Sequence, residues 1–141
     1  VPITKKDIFK RYPFMDFVVK TEGEVILRNL LEAKLNETPY DTIKGLLINS
    51  NLGLIDTGDS ERIQELDDIP SPYLTGVFDK LIAETTDVEW NATLETNRGC
   101  PYSCTFCDWG SLTYNKVKKF NLDYVKQSID WIVKHNVNYL S

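Results

Sequence analysis

The chain has 141 residues, 42% hydrophobic and 26% charged, the composition of an ordinary globular protein rather than a fibrous or disordered segment. A formal net charge of −5 gives no general affinity for nucleic-acid backbones, and no apolar run is long enough to span a membrane. No signal peptide is visible, so a cytoplasmic location is expected. Ile3 to Tyr12 fits a short helix, with Thr4 at the N-cap, Asp7 in the first turn and Pro13 as its stop. Phe14 to Val19 reads as a short buried strand. Glu22-Gly23-Glu24 then opens a helix whose apolar face is Ile26, Leu27, Leu30, Leu31 and Leu35, with both acids placed to suit the helix dipole. Ile43–Asn49 and Leu54–Thr57 are expected to pair as a β-hairpin across Asn51-Leu52-Gly53. The polar stretch from Thr57 to Pro72 is the best candidate boundary. Val77–Glu84 predicts a short helix and Glu89–Thr96 a strand. Asn121 is a good N-cap for a helix carrying Leu122, Val125, Ile129, Ile132 and Val133, which His135 and Asn136 terminate before Val137–Leu140 starts another strand.

All three cysteines fall in one stretch, Cys100-Pro101-Tyr102-Ser103-Cys104-Thr105-Phe106-Cys107, with the spacing CxxxCxxC. A closed structural metal site takes four protein ligands, so three thiolates leave one position open. Thiolates are also the usual ligands of iron–sulfur clusters, because soft sulfur matches iron–sulfide bonding. Pro101 prevents a regular helix through the motif and favours a loop. The loop follows a strand and precedes a helix and a second strand. That places it at the carboxyl end of a strand, the face on which (β/α) barrels carry their ligand sites. Trp109 and Gly110 are candidate cofactor contacts: the indole would keep water and oxygen away, and the glycine permits close backbone approach. Trp90 and Trp131 read as packing residues, and Arg98 as the partner of a nearby carboxylate. Lys116, Lys118 and Lys119 make either a solvated turn or a rim for an anionic ligand. The alternative to a reactive cluster is a non-catalytic module holding zinc or a structural iron–sulfur centre, with His135 as a possible fourth zinc ligand. A disulfide framework would leave one of the three cysteines unpaired.

The segment Glu95-Thr-Asn-Arg98-Gly99-Cys100 through Gly110 resembles the cluster loop of the radical SAM superfamily, Phe106 fitting the aromatic before the last cysteine. The resemblance implies that Cys100, Cys104 and Cys107 bind a [4Fe-4S] cluster and that S-adenosylmethionine (SAM) chelates the fourth iron, with the segment around Phe106 near the adenine. It implies an enzyme that cleaves SAM reductively to a 5′-deoxyadenosyl radical, fed by an electron donor such as flavodoxin or ferredoxin. Tyr12 to Val19, Glu22-Gly23-Glu24, Ile43-Lys44-Gly45 and Leu66 to Tyr73 further resemble the region before the cluster loop in cobalamin-binding radical SAM proteins. On that resemblance, residues 1–20 are the end of a Rossmann-like cobalamin domain, 21–88 a connector with the Glu-Gly-Glu helix and hairpin, and 89–141 the start of the radical SAM barrel. The fold class is therefore α/β, a partial (β/α) barrel preceded by an α/β connector. Thr21 stands where the family usually has glycine. The chain starts at Val1 and stops on an apolar strand start, so it is expected to be a piece of a longer protein, inactive alone, with any cobalamin bound by the full-length parent. The substrate is not legible.

Overall fold

The computed structural model describes residues 7–102, 104–107 and 117–141. They form two compact units, Val1–Ile63 and Gln64–Ser141. The division falls inside the polar stretch from Thr57 to Pro72.

The first unit opens with α1 (Ile8–Arg11), which ends at Tyr12 because Pro13 cannot continue it. The expected cap Thr4 lies outside the described residues. Then follow β1 (Phe17–Val19), α2 (Gly23–Leu35), β2 (Leu46–Ser50) and β3 (Gly53–Asp56). The three strands form one antiparallel sheet in the order β1-β2-β3, with Phe17 opposite Ile48 and Ile48 opposite Ile55. The hairpin is as expected, but β2 begins at Leu46 rather than Ile43. Gly45 has φ +90°, a backbone conformation that cannot belong to an extended run. β1 is likewise shorter than predicted, and Phe14, counted in that strand, is exposed.

Ile26 of α2 packs with Leu46 and Ile48 of β2, and Phe17, Val19, Leu30, Tyr40 and Ile43 close around them. Each such buried aliphatic side chain contributes about 1.5–3 kcal/mol. The predicted apolar face of α2 divides. Ile26 and Leu30 face the sheet together with Ala33, whereas Leu27, Leu31 and Leu35 are exposed. Past Asp56 the ladder is extended by a side chain: buried Thr57 accepts the Leu46 N–H on Oγ1 at 2.9 Å and returns a bond to the Leu46 carbonyl at 3.1 Å.

The second unit contains a 3-10 turn at Leu66–Asp68, α3 (Asp79–Glu84), β4 (Asn91–Ala92), β5 (Asn97–Arg98), β6 (Lys118–Lys119), α4 (Leu122–Lys134) and β7 (Tyr139–Leu140). β4 and β7 are parallel neighbours, with α4 between them in the chain. Hydrogen bonds from Asn138 N to Trp90 O, Ser141 N to Ala92 O and Leu94 N to Ser141 O carry the pairing beyond the two-residue strands. This is the expected strand–helix–strand unit. Asn121 caps α4 by accepting the Asp123 N–H at 2.8 Å, and Asn136 ends it with φ +52°. The buried face of α4 is centred on Ser128 and Ile132; Leu122 and Val133, predicted to share it, are exposed. Val133 lies about 100° round the helix from Ile132, which turns it to solvent. Among the described residues no helix is long and apolar enough to cross a membrane.

Candidate metal centre

The cysteine loop leaves the carboxyl end of β4 and is closed at its base by a two-residue antiparallel ribbon, Asn97 opposite Lys119 and Arg98 opposite Lys118. One step further down, Phe120 N donates to Thr96 O at 3.1 Å. The sequence does not show this ribbon, because two residues a side leave no alternation to read. Phe120 is buried and stacks on Tyr124 at 4.7 Å, so the returning limb is packed as soon as it leaves the ribbon.

At the mouth, Arg98 is fixed by Glu95: its Nε and Nη2 both reach the same carboxylate oxygen at 2.8 Å. Gly99 follows with φ +97°, turning the chain out of the ribbon where a side chain would be strained. Cys100 is half-buried, Cys104 exposed and Cys107 half-buried, all three as free thiols. A turn joins the second and third, with Cys107 N donating to Cys104 O at 3.2 Å. Phe106 between them is 90% exposed. Trp109 and Gly110 lie outside the described residues, as do Asp108 and Lys116. Among the described residues no three His, Cys, Asp or Glu side chains are drawn into a metal-holding group. The loop thus brings the three thiols to one short segment.

His135 sits at the far end of α4, a 13-residue helix about 20 Å long, with its Nδ1 2.7 Å from Trp131 O and its ring stacked on Trp131 at 3.9 Å. The described contacts of His135 are thus with Trp131 of its own helix. Lys118, half-buried, places its Nζ 3.1 Å from Gln64 O and 3.2 Å from Gln64 Oε1.

No protein-family model matches the chain. The cobalamin-dependent radical SAM methyltransferase TokK of Streptomyces tokunonensis is 37% identical over 99% of this chain and 21% of its own length. The chain belongs to the radical SAM superfamily, in its cobalamin-associated group. The 2-(S-pantetheinyl)-carbapenam-3-carboxylate methyltransferase of Streptantibioticus cattleyicolor is 38% identical over the same shares, 99% and 21%. The chain spans about a fifth of the length of these two relatives. Among solved structures, the cobalamin-dependent SAM radical enzyme OxsB, with aqua-cobalamin and SAM bound, superposes with a TM-score of 0.66 at 26% identity, over 94% of this chain and 17% of that one. The α/β architecture is accordingly similar to that of part of a radical SAM cobalamin protein.

Proposed function

We propose that Cys100, Cys104 and Cys107 hold a [4Fe-4S] cluster with one iron left for SAM, and that the protein is a cobalamin-associated radical SAM enzyme whose reaction class is methyl transfer. The carrying observation is the loop itself: three free thiols within eight residues, at the carboxyl end of β4 and between the two limbs of a parallel strand–helix–strand unit. The donor set fits such a cluster, since thiolate is the ligand iron–sulfide prefers and three donors leave a corner open. When bound, the cluster supplies the electron for reductive cleavage of SAM. The chain's own residues orient and shield. Gly99 turns the backbone into the loop, the Cys104–Cys107 turn folds it back, and exposed Phe106 is available to cover an adenine ring. Trp109 and Gly110 extend that cover in sequence. Residues 1–20 read as the end of a Rossmann-like cobalamin domain, 21–88 as connector and 89–141 as the start of the barrel. A small acidic carrier such as flavodoxin or ferredoxin would deliver the electron, in the cytoplasm.

The test is anaerobic reconstitution with iron and sulfide, followed by EPR of the reduced protein with and without SAM. A [4Fe-4S]⁺ signal that changes shape when SAM is added is the expected result. Zinc bound in place of iron and sulfide would sink the proposal. Replacing any one of the three cysteines by serine is expected to abolish the signal.

A further inference from the structure

The segment 64–73 reads in sequence as a proline-punctuated linker, yet it is tied to both limbs of the cysteine loop. Its first residue, Gln64, takes the Lys118 ammonium on its carbonyl and side chain, at 3.1 and 3.2 Å, on the returning strand of the ribbon. Asp67 Oδ1 accepts the Asn121 N–H at 2.7 Å, at the residue that caps α4. A carboxylate at that helix terminus also opposes the positive end of the dipole. Ser71 is 3% exposed and Ser128 fully buried, and their hydroxyls meet at 3.0 Å. Tyr73 then reaches across to the outgoing limb, donating from its hydroxyl to Thr93 O at 2.6 Å, while its ring lies 5.4 Å from Trp131.

The contacted positions on this side are 121, at the cap of α4, and 128 and 131 on one face of it, and the outgoing limb is held just past β4. A linker that needed only to connect would not bury a serine pair beneath a helix, where an unsatisfied hydroxyl is costly. Nor would it place a carboxylate on the helix cap. The three thiols stand on the loop these limbs feed.

We propose that residues 64–73 are a brace across the base of the cysteine loop, with Asp67, Ser71 and Tyr73 as positioning residues for the three thiolates. The purpose of the brace rests on the cluster reading above, but its action on the thiols can be measured without a cluster. Groups that orient metal ligands typically change affinity by about 10–100-fold when removed. Asp67→Ala and Ser71→Ala in the full chain are each expected to weaken Co²⁺ binding by the apo protein about tenfold, read from the thiolate-to-metal charge-transfer band. Both are expected to speed iron loss from the reconstituted protein to a chelator by a similar factor. Asp67→Asn, whose amide oxygen can still accept the Asn121 N–H, is expected to restore most of the affinity.

Wild-type Co²⁺ affinity and iron retention in folded Asp67→Ala and Ser71→Ala proteins, checked by far-UV circular dichroism, would overturn the brace. Should either variant unfold, Tyr73→Phe decides, since it removes only the hydroxyl on Thr93 and keeps the ring: unchanged Co²⁺ affinity there rejects the proposal. A wild-type protein that binds Co²⁺ through thiolates but takes up no iron and sulfide defeats the cluster reading alone; the brace then stands or falls on the variants' Co²⁺ affinities. A wild-type protein with no thiolate signal at all rejects both.

Discussion

At the scale of single residues, backbone geometry and charge make the sharpest demands. A Cβ on Gly45 would stand 2.5 Å from Ile26 Cδ1, at a φ of +90°. Gly45→Ala is therefore expected to destabilise the first unit by about 1–3 kcal/mol from backbone strain, with a further penalty from the clash, as urea unfolding would show. Lys20 illustrates a second demand. Its side chain is 7% exposed and its ammonium reaches Asp56 at 2.5 Å and Asp59 at 3.1 Å. Burial works against the charge, but the two carboxylates outweigh it and hold the Lys20 pKa above its ordinary value. A raised lysine pKa means that the stabilisation is complete below the unfolded value of about 10.4 and is lost as pH rises through the higher folded one. Lys20→Met should remove that alkaline loss from a pH series of unfolding midpoints; an unchanged profile would show that Lys20 does not set it. Glu22 is the residue that sequence reading placed least well. As the first acid of Glu-Gly-Glu it suggests a solvated helix start. Instead its side chain is 5% exposed, accepts the Ile63 N–H at 2.6 Å and lies 3.6 Å from the Arg62 guanidinium. Partners some forty positions along the chain leave no trace near Glu22.

At the scale of elements, helices were legible where local chemistry alone defines them. Asn121 was readable as a cap because an Asn before an apolar 3.6-residue period has one economical use, and it does accept the Asp123 N–H. Asn121→Ala is expected to cost about 1 kcal/mol and to lower the thermal midpoint of the second unit, measured by circular dichroism. Which part of an apolar face is covered was not legible. Periodicity gave α2 five apolar positions without distinguishing those that meet the sheet. Ile26→Ala should therefore cost about 2–5 kcal/mol, and Leu31→Glu, on the exposed side, within about 0.5 kcal/mol. Equal losses at both positions would mean that the outer stripe is covered in solution. The hairpin announced itself through Asn51-Leu52-Gly53, whereas the β5–β6 ribbon could not, being held by pairing across a loop rather than by any pattern of its own.

At the scale of the whole molecule, the cysteines stand outside the buried cores. Cys104 is exposed, and none of the three cysteines belongs to a buried cluster. Cys104→Ser is therefore expected to leave unfolding stability within about 0.5 kcal/mol of wild type while abolishing cluster uptake, a dissociation that chemical denaturation and iron analysis together would show. The sequence by itself determined the motif and its setting, three thiols in CxxxCxxC with a strand before them and a capped helix after them, and with them the family resemblance. Those are local facts, written in spacing, in turn residues and in a helical period. Only the tertiary structure decided that His135 stacks on Trp131, that Glu22 is buried against Arg62, and that Ser71 of the Pro70-Ser71-Pro72 stretch is buried against Ser128 of α4. The last two depend on contacts between residues far apart in the chain, and such contacts are fixed by packing and hydrogen-bond satisfaction rather than by anything the neighbouring residues display.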